Sequence, residues 1–317
     1  MEIIRLELPT FFDTMTVNAW FVPGEEPTLI DCGEKTEKTW DVLTASLKKL
    51  GYKIQDIQKI IITHGHLDHM GMANRIIQNS DARVWVNELV FPWTQDLRAM
   101  LEKRSAAIMS VIDPNLPEKE AQEFRGFGYP ILAPFWDEIP EERINIFPLS
   151  GHIDIGGENW VILYTPGHCV NQTCFLHPGK GLLFSADMLM KIIPNPIIDA
   201  LPQSTLQRTK SLPGQVASYN KLLELDFNMV YPGHFQAFEN GKALVQKQLA
   251  KIDARKNHCL QSIQSGHHSV IEIVHQLYPG RVNNATIFMV LGLLDILLEK
   301  NEVQRIDKNG KFQYFCN

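Results

Sequence analysis

The segment Thr63-His64-Gly65-His66-Leu67-Asp68-His69 gathers three imidazoles and a carboxylate into six positions. Gly65 lets the chain turn there, so alternate side chains can meet at one point. Held together with nothing cationic to satisfy it, such a set is costly. Neutral imidazole and carboxylate are good ligands for zinc and similar divalent ions. Three further residues stand just past apolar runs that read as strands: His168 in Thr165-Pro166-Gly167-His168, Asp187 in Phe184-Ser185-Ala186-Asp187, and His234 in Tyr231-Pro232-Gly233-His234. Singly, each passes for a turn histidine or a helix-capping aspartate. Together they put five of the 11 histidines at strand ends, where successive strands can aim side chains at one rim. No Gly-x-Ser-x-Gly elbow occurs, and this chemistry needs no Ser or Cys nucleophile.

The elements that must carry these residues show in the hydrophobic periods. Residues 15–22, 28–31, 57–63 and 84–86 read as strands, and the nearly continuous β-branched run at 57–63 suits a strand buried on both faces. Residues 38–50 have helical spacing, with Trp40, Val42, Leu43, Leu47 and Leu50 as the apolar stripe and Gly51 as the stop. The stretch 91–146 differs. It holds helical patches at 95–110 and 118–124, several Pro and Gly breaks, and many aromatic residues. It reads either as a surface subdomain with its own small core or as a lid or pocket wall. Strands return as a meander at 160–164, 173–177 and 181–185, and residues 228–231 form the last strand of this part. Helices are expected at 242–265, 270–277 and 285–300, followed by strands at 303–306 and 311–315 around the turn signal Asn309-Gly310. The chain therefore divides near 241 into a catalytic part, 1–240, and a small, mostly helical, winged-helix-like part, 241–317.

The series His64-x-His66-x-Asp68-His69, His168, Asp187 and His234 resembles the metallo-β-lactamase superfamily of metal-dependent hydrolases. Leu29-Ile30-Asp31-Cys32-Gly33 is similar to that family's structural strand-and-turn motif. The resemblance covers residues 14–236 apart from 91–146, and it is closest to the two-domain, glyoxalase II-like members. It implies an α+β fold, a four-layer αββα sandwich with metals at one edge of the two sheets. It also implies two divalent metal ions. His64, His66 and His168 would hold one, Asp68, His69 and His234 the other, and Asp187 would bridge them. His66, in a position where the di-iron oxygen-reducing branch has Glu, favours zinc over iron or manganese. Two departures stand out. Ser185-Ala186-Asp187 replaces the commoner Gly-Asp, which is expected to alter the local backbone. Phe235-Gln236 replaces Gly-Pro, which is expected to reshape the pocket floor.

Charge and composition narrow the partners. The net charge is −6, but residues from 241 onward carry 10 basic and 6 acidic side chains while the rest of the chain sums to −10. An acidic catalytic part repels polyanions. The expected recognition helix, 285–300, has Lys300 as its one basic residue, so base readout is not expected. The tail is read instead as packing onto the catalytic part or forming a contact in a homodimer. Five cysteines with no Cys-x-x-Cys pair fit a reducing, cytoplasmic setting. No apolar run is long enough for a membrane span, and no secretory leader is seen. The other histidines, His152, His177, His258, His267, His268 and His275, lack ligand spacing and are expected to face solvent. The expected activity is hydrolysis of a small ester, thioester or lactone by a hydroxide shared between two metals, with Asp68 orienting it. A single-stranded RNA endonuclease with the same metals is the alternative. A mononuclear iron enzyme acting on persulfides, similar to persulfide dioxygenases, is a further one.

Overall fold

The computed structural model describes residues 1–11, 16–111, 128–200, 207–308 and 311–317. The expected helix at 118–124 and the turn at Asn309-Gly310 lie outside them. Two sheets form the centre. The first contains β1 (Ile4–Pro9), β2 (Thr16–Val22), β3 (Thr28–Ile30), β4 (Lys59–Ile61), β5 (Arg83–Asn87) and β6 (Ile144–Phe147), in that spatial order. Strands β1 to β3 are antiparallel, and β3 to β6 are parallel. The second contains β7 (Ser150–Ile155), β8 (Glu158–Tyr164), β9 (Thr173–His177), β10 (Leu182–Ala186) and β11 (Met229–Pro232). The expected meander is the antiparallel run β8–β9–β10, and β11 joins β10 in parallel.

Alternation along the strands sorts the apolar side chains into layers. Trp20, Val22, Ile61, Trp160, Ile162, Phe175 and Phe184 point between the sheets and form one buried cluster. Their neighbours Phe21, Ile60 and Ile62 point the other way, under α1 (Glu37–Lys49) and the short α3 (Ala73–Ile77). Cys174, Leu176 and Leu183 point outward from the second sheet, beneath α7 (Ser211–Leu223) and the C-terminal helices. The result is the expected αββα sandwich. The helix at 37–49 buries Thr39, Leu43 and Leu47, and Trp40 and Val42 of the expected stripe pack half-buried against the same core. Trp40 also carries the Arg75 guanidinium over its ring, and Leu50, the C-cap, is the exposed member of the stripe.

Within 91–146 the described elements are α4 (Phe91–Gln95), α5 (Leu97–Met109) and α6 (Tyr129–Leu132), followed by a 3-10 turn at Ala133–Phe135. The tail consists of α8 (Gly241–Gln264), α9 (Val270–Leu277), α10 (Asn284–Glu299) and a hairpin of β12 (Val303–Lys308) with β13 (Lys311–Cys316). Its apolar residues, including Ile287, Val290 and Leu294, join Leu212, Tyr219 and Val230 in a single buried cluster, so the tail and the second sheet share one core. Arg208 donates both terminal nitrogens to the buried carboxylate of Asp295, a bidentate pair between the 207–210 segment and α10. Strands β1, β6 and β7 and helix α7 add to the elements expected from sequence. No helix among the described residues is long and apolar enough to cross a membrane.

Candidate metal centre

All seven expected ligand residues meet at the ends of β4, β8, β10 and β11. His64 and His66 leave β4. Asp68 and His69 lie on the one-turn helix α2 (Leu67–Met70). His168 follows β8, Asp187 follows β10 directly, and His234 follows β11. His64 Nε2 and His168 Nε2 each lie 3.0 Å from His66 Nδ1. On the other side, His69 Nε2 is 3.6 Å from Asp68 Oδ2 and 3.5 Å from Asp187 Oδ1, while His234 Nε2 is 3.4 Å from both Asp68 Oδ2 and Asp187 Oδ2. Asp187 Oδ2 also lies 3.5 Å from His168 Nε2, so this carboxylate stands between the two groups.

Outer contacts fix which nitrogen of each ring faces inward. His168 Nδ1 donates to the Asn195 carbonyl (2.8 Å), and His234 Nδ1 donates to the Thr16 carbonyl (2.7 Å). His69 Nδ1 donates to Asp31 Oδ2 (2.8 Å). Thr63 Oγ1 donates to Asp31 Oδ2 and therefore accepts from His64 Nδ1 (3.0 Å). Four rings thus spend their Nδ1 protons outside the site and, when neutral, aim an Nε2 lone pair into it. His66 Nδ1 faces two such lone pairs at once. His69 Nε2 and Asp187 Oδ1 are buried with no hydrogen-bond partner. His64, His168 and Asp187 bring one ligand atom each within 4.8 Å of one another, as do Asp68, His69 and His234. A divalent cation in each group would satisfy these atoms, so the donor set fits the metals that the resemblance implies.

Proton affinities divide along the same line. Burial, aided by repulsion from the neighbouring rings, pushes His64 and His66 well below the usual imidazole range. Burial also lowers His168, although Asp187 opposes it. His69 is buried too, yet the carboxylates of Asp68, Asp187 and Asp31 raise it well above that range. Against the cost of burial, Asp187 and Asp68 raise His234 to about 10. Both carboxylates are held below their ordinary values, because the rings of His69 and His234 outweigh burial.

Backbone strain collects here as well. Among the described residues, three of the five non-glycine residues with positive φ border the site: Asp31 at 60°, Ala186 at 43° and Phe235 at 70°. The expected change at Ala186 is seen as that left-handed backbone together with a register shift between Phe184 and Ala186. Phe235 does not floor the pocket. Its carbonyl instead accepts from Asn18 Nδ2 (2.7 Å), which also donates to the Pro232 carbonyl (2.9 Å). Gly233 is required by close approach, since a Cβ there would lie 2.1 Å from Asp187 Oδ1.

Beside His66, Asp68 and His234 opens a mainly apolar cavity of about 270 Å³, lined also by Trp93, Leu97, Leu101, Leu132 and Phe135. These side chains belong to 91–146, so the described part of that segment is a pocket wall. Arg104 is the one Lys or Arg among the described lining residues. Of the two readings of 91–146, the pocket wall is the one the described residues support, although the sequence does not single out Leu97, Leu101 or Leu132. The supports Asp31, Thr63, Asn18 and Asn195 are not read from it either. Asp31 had a signal, an acid in the strand-and-turn motif, but no role was drawn from it. The remaining histidines stay out of the site, though not all face solvent. His177 is half-buried against Trp160 and pairs with Glu158, and His268 donates to the Tyr314 carbonyl while stacked on Phe315. His267 is half-buried and bonded to the Ser262 carbonyl and to Gln276.

A family model described as the metallo-beta-lactamase superfamily matches residues 13–234. "Probable metallo-hydrolase YqjP" of Bacillus subtilis is 24% identical over 319 residues, covering 99% of this chain and 97% of its own. Hydroxyacylglutathione hydrolase GloC of Haemophilus influenzae is 26% identical over 137 residues, covering 43% of this chain and 51% of its own. A solved metallo-beta-lactamase family protein from Thermus thermophilus has a TM-score of 0.78 at 23% identity, covering 99% and 98% of the two chains. The chain belongs to the metallo-beta-lactamase superfamily, whose members are metal-dependent hydrolases.

Proposed function

We propose that the protein hydrolyses a small ester, thioester or lactone at a two-metal centre. His64, His66 and His168 would hold one divalent ion, Asp68, His69 and His234 the other, with Asp187 between them. Zinc suits five imidazoles and two carboxylates. Bound there, the cations would supply Lewis acidity and bring a water's pKa down toward neutrality. Asp68 is the ligand carboxylate that also lines the cavity, and it is kept ionised by His69 and His234 despite burial. It accepts the proton that the attacking water loses and returns it to the departing oxygen or sulfur. One water is consumed, its OH going to the acyl carbon and its remaining proton to the leaving group.

The observation that carries this reading is the set of four imidazoles tied through Nδ1 and turned toward two carboxylates, beside an apolar cavity. The apolar wall supports a small acyl substrate over RNA, which would need a basic groove. A relative named for hydroxyacylglutathione hydrolysis supports acyl chemistry. The three-helix tail with its hairpin is read as a winged-helix-like unit that works through packing rather than through nucleic acid. Five cysteines outside disulfides support a reducing, cytoplasmic setting. To test the reading, zinc-loaded protein is offered 4-nitrophenyl acetate, an S-acyl thioester, a γ-lactone and bis(4-nitrophenyl) phosphate, with and without chelator. Turnover of an acyl substrate that stops on chelation is expected. Turnover of the phosphodiester alone would overturn it.

A further inference from the structure

Arg104 stands out on the cavity wall. It lies on α5, its side chain 19% exposed, with its guanidinium carbon 4.5 Å from the centroid of the Trp93 ring. Nε donates to Asp199 Oδ1 at 2.6 Å. Asp199 is buried and held in turn: its N–H donates to Thr209 Oγ1 and its carbonyl accepts from the Thr209 N–H. The plane of the guanidinium is therefore fixed by a stacked ring on one side and an anchored carboxylate at Nε. Its two terminal amino groups make no hydrogen bond among the described residues. A guanidinium carries five N–H donors, and Nε accounts for one. Arg104 lines both the cavity beside the metal ligands and an adjoining one of about 710 Å³, with Leu101 and Leu132 shared between them.

From this geometry we propose that Arg104 is a specificity-determining residue that receives a carboxylate carried by the substrate, so the preferred substrates are acyl compounds with an anionic end. The inference rests on the hydrolase reading for the word substrate; the anion site itself stands on the geometry of Arg104. With the acyl group at the metal ligands, Arg104 is the one Lys or Arg among the described residues lining this cavity for an anionic end to lie against, and this orients the rest of the molecule. Asp199 acts as a positioning residue, using one nitrogen and leaving the planar fork of the others to the ligand.

The test compares adipate with hexanoate, which differ by a second carboxylate, binding to the zinc-loaded protein by titration calorimetry. Hydrolysis of the 4-nitrophenyl monoester of adipate and of 4-nitrophenyl hexanoate is measured in parallel. The wild type should favour the dicarboxylate in both assays. In Arg104→Gln the adipate-to-hexanoate affinity ratio should fall about 10- to 100-fold, with the kinetic change mostly in KM, and Arg104→Lys should recover part of it. A merely structural Arg104 would weaken both ligands alike and leave the ratio unchanged, which would overturn the proposal. Since Arg104→Gln leaves Asp199 buried without its partner, the double variant Arg104→Gln/Asp199→Asn is measured beside it and should show the same loss of ratio. Ester turnover with no preference for adipate would refute the anion site and leave the hydrolase reading intact. A strong, Arg104-dependent preference for adipate with no ester turnover would do the reverse.

Discussion

The two halves of the candidate metal centre differ in what they hold when no cation is present. The half made by His64, His66 and His168 is a nest of neutral rings, all pushed below their usual proton affinity by burial. The half made by Asp68, His69 and His234 is built on carboxylates that draw protons onto its two imidazoles, His234 up to about 10. The first half offers lone pairs at neutral pH. The second offers them only after losing protons. A cation therefore enters the first half against little proton competition, and enters the second by displacing two protons.

The most damaging break is His66→Ala combined with Asp68→Ala, which removes a donor from each half. Turnover should fall by at least about 1,000-fold and bound metal should drop, as read by kinetics and elemental analysis together. Gly233→Ala presses hardest on the carboxylate-rich half, because the new methyl collides with Asp187 Oδ1, the oxygen that faces His69, and with the His69 ring itself. Loss of the second ion with retention of the first is expected in the metal count. Asp31→Asn weakens the anchor of His69 and, through Thr63, that of His64. Metal affinity should fall about 10- to 100-fold by competition with a chelating dye.

The pH dependence sharpens the contrast further. In the metal-free fold the raised groups His69 and His234 carry protons at pH 7, and these are lost only as pH rises through their folded values. Loading zinc at pH 7 should release about two protons per chain, measured by calorimetry in buffers of different ionisation enthalpy. Acidification should empty the carboxylate-rich half first. The smallest effect is expected from Ala186→Gly. Relieving a left-handed φ of 43° should raise stability by about 1 kcal/mol, read from denaturant unfolding.

Much of this site could be read from sequence because ligand chemistry is carried by residue type. His, Asp and their strand-end positions show in the chain itself, and the runs at 57–63 and 173–177 are apolar enough to mark buried strands. The cavity wall could be read only as one of two possibilities for 91–146, without its lining residues. Trp93, Leu101 and Leu132 pass for ordinary core residues until folding turns them toward the metal ligands. Helix α7 was hidden by Pro213-Gly214, a dipeptide that reads as a breaker but sits in the helix's first turn, where proline's missing N–H has no partner to lose. Strand β7 was hidden by Gly151 and by an exposed first half on a sheet edge. Asp31, Asn18 and Asn195 act on the site through hydrogen bonds across long sequence separations, which no local pattern records.

Metal stoichiometry measured on the same samples as turnover tests the two-cation centre most directly. Elemental analysis by mass spectrometry should find two zinc ions per chain in active wild-type protein. In Asp187→Ala, which lacks the carboxylate between the halves, the count should fall to about one, with most of the activity lost. Full hydrolytic activity at one ion per chain or none, unchanged in Asp187→Ala, would contradict the account.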